Sequence, residues 1–297
     1  MLSSYALKII ALVSMLVDHA AYAIELAGIM EASLPYYLLR AFGRLAFPLY
    51  AFLLVIGFEK TKDRARYLTR LCLFAVISQI PYSFALSERN YGSWSCISSF
   101  RFRYDAGFLL VLVLLTAALI LIGREQELFP LSLSASGACL LSGMRLLIGG
   151  WLLIGEDLNV LYTLACSLSF ILVLDMIKNR QRHSALTLIA AAAACAAVCV
   201  LILGSSDYGY FGLLLVVLLY CFRGRRRLQA LMTALWGLVV YMPFGPGGAA
   251  YSFAATCLAA GLILVYSGEQ GRRSRLFYWA YPAHLAVYGV IFHFLLK

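Results

Sequence analysis

Apolar residues in this chain fall into long blocks, and polar positions gather in the short stretches between them. A helix needs about 20 apolar residues to cross a hydrocarbon core roughly 30 Å thick. On that measure the blocks predict about eleven membrane spans. They lie near residues 6 to 29, 41 to 58, 69 to 87, 104 to 122, 131 to 154, 158 to 177, 184 to 203, 207 to 222, 228 to 242, 249 to 266 and 276 to 296. The blocks starting at 207 and 228 are short for a full crossing. The expected fold is all-α: a polytopic helical membrane protein forming one integral domain over residues 1–297.

Composition agrees, because 63% of the 297 residues are hydrophobic and only 13% are charged, which excludes an ordinary soluble domain. The net charge of +10 would suit nucleic acid if it were gathered on one surface. Instead it sits in short loops: Lys60, Lys62, Arg64, Arg66 and Arg70; Arg124; Lys178, Arg180 and Arg182; Arg223, Arg225, Arg226 and Arg227; Arg272, Arg273 and Arg275. With eleven spans all of these loops fall on one side, which the positive-inside rule assigns to the cytoplasm. The N-terminus is then inside and the C-terminus outside, in a bacterial inner membrane. Arg40, Arg101 and Arg103 are exceptions. The expected partner is the lipid bilayer, not nucleic acid.

Lys8, the apolar run Ile9 to Val17 and Ala21-Tyr22-Ala23 imitate a cleavable signal sequence. A retained span is the preferred reading on the general form of such signals; cleavage would carry away the polar pair Asp18-His19. Seven of the eight cysteines lie within or at the ends of apolar blocks, where they act as small hydrophobes. No CxxC pair or His/Cys cluster occurs, so neither a zinc site nor a disulfide framework is expected, and no metal cofactor.

The informative pair is Asp18-His19, inside the first block, with no lysine or arginine between Lys8 and Arg40. Ionisable groups at such depth are costly and usually face a polar interior. Counting about 1.5 Å per residue puts the pair roughly 18 to 20 Å from the inner end of its span, and Arg44 at about 21 Å on the next. Asp18 and Arg44 therefore share a level and are candidates for an ion pair. Neighbouring residues on a helix point about 100° apart, so the partner of His19 should come from another span. Lys8, Met15 and Tyr22 share its face.

In the last block, Tyr278, Tyr281, His284 and Tyr288 form one helical stripe interrupted by Pro282, and His284 lies roughly 12 to 14 Å deep. Gln79 and Pro81 interrupt the third span, Asn159 and Thr163 open the sixth, and Asp207-Tyr208 open the eighth. Asp207 has a capping reading or a place at an acceptor entrance. Asp175, near an inner end, could pair with Lys178 or Arg180. For each of these residues the plain alternative is interhelical hydrogen bonding without chemistry.

These blocks resemble the TraX family, named for a conjugative pilin N-acetyltransferase. The resemblance rests on LKIIALVSMLVDHA (Leu7 to Ala20), GRLAFPLYAFLLVIGF (Gly43 to Phe58), YLTRLCLFAVISQIPYSFAL (Tyr67 to Leu86), LNVLYTLACSLSFILVLD (Leu158 to Asp175), DYGYFGLLLVVLLY (Asp207 to Tyr220) and FYWAYPAHL (Phe277 to Leu285). Residues 88–157 fit that pattern poorly and read as an insertion of two extra spans.

The resemblance implies transfer of an acetyl group from acetyl-CoA, and a distant relation to other transmembrane acyltransferases that use an intramembrane histidine. His19, with Asp18 and His284, is then the catalytic candidate, either as general base or as the group that accepts the acetyl. Arg44, Gln79, Asn159, Asp207, Tyr208 and Tyr281 are candidates for substrate binding or oxyanion stabilisation. Arg64, Arg66 and Arg70 are candidates for the phosphates of the donor, with Arg223 to Arg227 as a second possibility. The acceptor would be an amine or hydroxyl on a peptide or glycan at the membrane. The competing class is a transporter or flippase in which Asp18, Glu25, Arg44 and His284 bind substrate or protons; no repeat between the halves supports it.

Overall fold

The computed structural model describes residues 1–87, 90, 99–102, 144–148, 151–154, 157–179, 185–242, 248–272, 274 and 276–295. Its helices are α1 (Ser4–Leu26), α2 (Leu34–Gly43), α3 (Ala46–Lys60), α4 (Arg64–Leu86), α5 (Val160–Lys178), α6 (Ala185–Leu203), α7 (Gly209–Cys221), α8 (Arg226–Tyr241), α9 (Ala249–Leu264) and α10 (Leu276–Val290). A π-helical turn, Ile291–Leu295, continues α10. The protein is a helical membrane protein. Among the described residues four helical stretches are long and apolar enough to cross a membrane, namely Ser4–Leu26, Leu34–Lys60, Arg64–Leu86 and Val160–Lys178. Shorter apolar helices accompany them, and the structure does not support the count of eleven or the orientation.

Two expectations need correcting. The second span starts at Leu34 rather than 41, because Pro35 lies in the first turn of α2, where its missing N–H costs nothing. The span also breaks at Arg44-Leu45, between α2 and α3. The run 131 to 154 does not continue as a helix to its end: Met144–Ile148 (β2) and Trp151–Ile154 (β3) pair antiparallel, and Ser99–Phe102 (β1) pairs with β2. The sequence between β2 and β3 is Gly149-Gly150, a two-residue hairpin signal that the apolar count ignored. The expected span 104 to 122 and the rest of 131 to 154 lie outside the described residues.

The chain divides into two compact units, one of residues 1–56, 84–93 and 214–297, the other of residues 57–83 and 94–213. In the first, α1 is capped by Ser3, whose side chain accepts from the Ala6 N–H at 3.2 Å. It stops at Gly28, which has φ +70° and lets the Gly28 and Ile29 N–H groups bond back to Glu25 and Ile24. Leu7 and Ala11 are fully buried on one side, while Ile9 and Val13 are exposed on the other, as suits a helix between protein and lipid.

Helix α1 packs on α2 through polar contacts that hydrocarbon makes obligatory. The Ser14 hydroxyl lies 2.7 Å from the carbonyl of Phe42 and 3.1 Å from that of Gly43, and so caps the end of α2. Asp18 lies against Gly43 so closely that any Cβ there would overlap its side chain. The Asp18 carboxylate takes a 2.8 Å bond from Arg40, whose guanidinium lies 4.8 Å from the Tyr22 ring centre. Asp18 thus forms an ion pair with Arg40, one turn before the Arg44 that depth counting singled out. Starting α2 at Leu34 brings Arg40 inside the helix, whereas Arg44 forms its C-terminal cap.

In the second unit an amide clamp joins α4 to the start of α5. Gln79 Oε1 accepts from the Asn159 side chain at 2.9 Å and from its backbone N–H at 3.2 Å, while Gln79 Nε2 donates to the Asp157 carbonyl at 2.8 Å and to Ser83 Oγ at 3.1 Å. Asn159 also donates to the Ala75 carbonyl and caps α5 through Leu161 N–H. At the other end of α5, Asp175 accepts from Arg64 at 2.5 Å; Arg180, one of the two partners considered for it, lies outside the described residues. The thiols of Cys166, Cys195 and Cys199 meet between α5 and α6, small side chains packed where helices approach.

Removing one partner from either contact leaves a buried polar group stranded. Arg40→Ala should destabilise the protein by about 3 to 5 kcal/mol, read as a lower thermal midpoint in micelles, and Asp18→Asn combined with Arg40→Gln should recover much of the loss. Gln79→Ala should cost about 1 to 3 kcal/mol for each stranded group, seen in the same measurement; an unchanged midpoint would show that the clamp is not a structural joint.

Candidate functional site

Because successive residues on α1 turn by about 100°, its polar residues serve two faces. Ser14, Asp18 and Tyr22 turn to α2, and His19 turns to α10. There His19 Nδ1 lies 2.7 Å from Nε2 of His284. The two rings are nearly parallel, 15° apart, with centres 5.0 Å from one another. His284 Nδ1 in turn lies 2.7 Å from the carbonyl of Ala280, one turn earlier on the same helix.

These contacts fix the proton positions of a neutral pair. A carbonyl can only accept, so His284 Nδ1 carries the hydrogen and its Nε2 is the acceptor. His19 Nδ1 must then donate to it. What is left is His19 Nε2, with its lone pair and with no hydrogen-bond partner among the described residues. That nitrogen is the chemically available atom of the pair. Both histidines are buried, which keeps the relay out of competing water.

Aromatic rings hold the pair in place. Tyr281 stands edge-on to both, 6.0 Å from His19 and 5.6 Å from His284, and Tyr288 stands edge-on to His284 at 5.5 Å. The Tyr288 hydroxyl donates to the Leu16 carbonyl at 3.2 Å and pins α10 to α1. Pro282, buried inside α10, withdraws one backbone donor from the same turn.

The structure thus brings His19, His284 and Tyr281 together, with Asp18 on the adjoining face of α1. Gln79 and Asn159 also meet, but in the clamp of the second unit; the four hydrogen-bonding positions of Gln79 are filled, and it has nothing left for an oxyanion. Asp207 and Tyr208 lie in the tight turn between α6 and α7, where Tyr208 has φ +60° and Thr163 donates to the Asp207 carbonyl. Arg64 is engaged by Asp175 and Arg66 by Asp63 at 3.2 Å, so donor phosphates would compete with carboxylates already in place. Arg70 lies in the second turn of α4. Among the described residues no group of three His, Cys, Asp or Glu side chains converges as a metal site would need. Sequence reasoning missed Arg40, Ser14 and the Ala280 carbonyl. The first two were legible as polar residues at helical spacing with Asp18 and Arg44; a backbone acceptor carries no sequence signal.

The chain is 33% identical to the probable fimbrial assembly protein FimC, serogroup H1, of Dichelobacter nodosus over 132 residues, which is 44% of this chain and 51% of that protein. It therefore spans about half the length of the curated relative it matches. No solved structure matches it significantly. The model of the TraX protein family matches residues 3–126 and 139–292, taking in α1, α10 and both histidines. With a match over nearly its whole length, the chain belongs to the TraX family.

Proposed function

We propose that this protein is an acetyltransferase of a bacterial cytoplasmic membrane, moving an acetyl group from acetyl-CoA to an amine or hydroxyl of a pilin, fimbrial subunit or other envelope component. The single observation that carries this reading is the buried relay from the Ala280 carbonyl through His284 to His19, which leaves the lone pair on His19 Nε2. A neutral imidazole so held is suited to general-base work. Family membership and the fimbrial name of the relative support the class of acceptor.

In this mechanism His19 Nε2 takes the proton from the acceptor as its nitrogen or oxygen attacks the thioester carbonyl. The tetrahedral intermediate collapses with cleavage of the C–S bond, and the proton on His19 passes to the departing thiolate of CoA. His284 keeps the ring of His19 in the productive tautomer, and the imidazolium is stabilised through the relay to the Ala280 carbonyl. Tyr281, beside both rings, limits how they turn. Asp18 acts at one remove: with Arg40 it fixes the position of α1 from which His19 projects. The donor enters from the cytoplasmic side, where the positive-inside rule puts the basic loops.

His19→Ala should lower acetyl transfer by about 10² to 10⁴ while the protein still inserts and folds. His284→Ala should lower kcat by less and displace the pH–rate profile, since it removes the group that selects the tautomer. Release of CoA thiol by protein in nanodiscs, together with mass spectrometry of envelope proteins from cells with and without it, measures both. Near-normal transfer by His19→Ala would remove this histidine from the chemistry.

A further inference from the structure

The first unit gathers three stretches that lie far apart in the sequence: the chain start, the basic turn before α8 and the loop after α9 that leads to Arg272. The chain start pairs with the loop after α9: Leu2 N–H donates to the Val265 carbonyl at 2.8 Å, Ser267 N–H to the Leu2 carbonyl at 2.7 Å, and Ser4 N–H to the Glu269 carbonyl at 2.8 Å. Ser4 Oγ and the buried Tyr266 hydroxyl lie 2.9 Å apart. Arg226, from the first turn of α8, donates to the Tyr266 carbonyl and lies over its ring at 5.0 Å. Gly268, with φ +89°, has no Cβ where Arg226 Nη2 would stand only 3.1 Å from it. The starts of α1 and α8 and the end of α9 are thereby fixed at one end, and Tyr5 meets Phe277 of the first turn of α10 edge-on at 5.7 Å.

Arg226 is a strut of that assembly, and Arg223 bonds to the Tyr220 carbonyl at 3.0 Å. Arg225, Arg227 and Arg272 are exposed, and among the described residues no carboxylate is paired with them. Glu269 is the acidic side chain of the same loop. The contrast with Arg64 and Arg66, each held by an aspartate, decides which arginines can take a phosphate. The end also lies on the helices that carry the histidines. His284 is roughly 12 Å along α10 from Leu276, and His19 roughly 22 Å along α1 from Ser4, a span suited to a long flexible arm carrying a thioester.

We infer that Arg225, Arg227 and Arg272 form the phosphate-binding platform of the nucleotide end of acetyl-CoA, in place of Arg64, Arg66 and Arg70. The inference rests on the acetyltransferase reading. Guanidinium forks match phosphate oxygens and keep their charge at any working pH. Phosphate is the shared chemistry of this donor and of anionic lipid headgroups, and the assay must part the two.

CoA binding is measured for the wild type, for the combined R225Q, R227Q and R272Q variant, and for His19→Ala, in nanodiscs of phosphatidylcholine alone or with phosphatidylglycerol. In neutral discs the arginine variant should bind CoA about tenfold more weakly or worse, and the salt dependence of the wild-type affinity should be largely lost in it. His19→Ala should bind CoA normally. Equal affinity of wild type and arginine variant overturns the inference, and if that variant loses only its preference for phosphatidylglycerol the arginines read headgroups instead. A wild type that binds no CoA overturns both this inference and the donor assignment. Loss of transfer in His19→Ala beside unchanged CoA binding in the arginine variant sinks the platform alone.

Discussion

Hydrocarbon offers no water to a polar group, so each nitrogen and oxygen placed at depth must find its partner within the protein. Around α1 that requirement is met by short chains of contacts. The Ala280 carbonyl orients His284, and His284 orients His19. Ser14 closes the end of α2, and Arg40 neutralises Asp18. Remove the constraint, as water would, and neither the tautomers nor the ion pair would be fixed.

The same constraint explains why the two members of the Asp18-His19 dipeptide do different work. A helix separates adjacent side chains by about 100°, so a carboxylate and an imidazole next to each other in sequence cannot serve one another. Asp18 is used to seat α1 against the close approach at Gly43, and His19 is left to the face of α10. One helix thus carries both the ion pair to α2 and the histidine contact to α10, and a disturbance of the first reaches the second through a rigid body.

Much of this was legible in the sequence. The apolar blocks announce helices, the unaccompanied Asp18-His19 announces a polar interior, and the search for a partner to His19 on another span leads to the last block. What failed did so for physical reasons. Arg40 falls outside the second apolar block because Pro35 has the look of a loop residue, although proline is at home in the first turn of a helix. Gly149-Gly150 escapes a hydropathy count, which averages over a hairpin. Gln79, a candidate for chemistry by its depth, proved to be filled by its own neighbours, and only coordinates reveal how many of an amide's bonds are already spent. The family resemblance, extended by the match over residues 3–126 and 139–292, rests on the order of residues within blocks and not on where spans end or which bonds an amide makes.

His19 and His284 are 265 residues apart in the chain. Helix α1 therefore enters the bilayer with an imidazole whose partner on α10 has yet to be synthesised, and it must be sheltered by provisional contacts until α10 arrives. Closure of that long loop waits for α10, so a nascent chain that has not reached it leaves His19 without its bonded neighbour and the two tautomers unset.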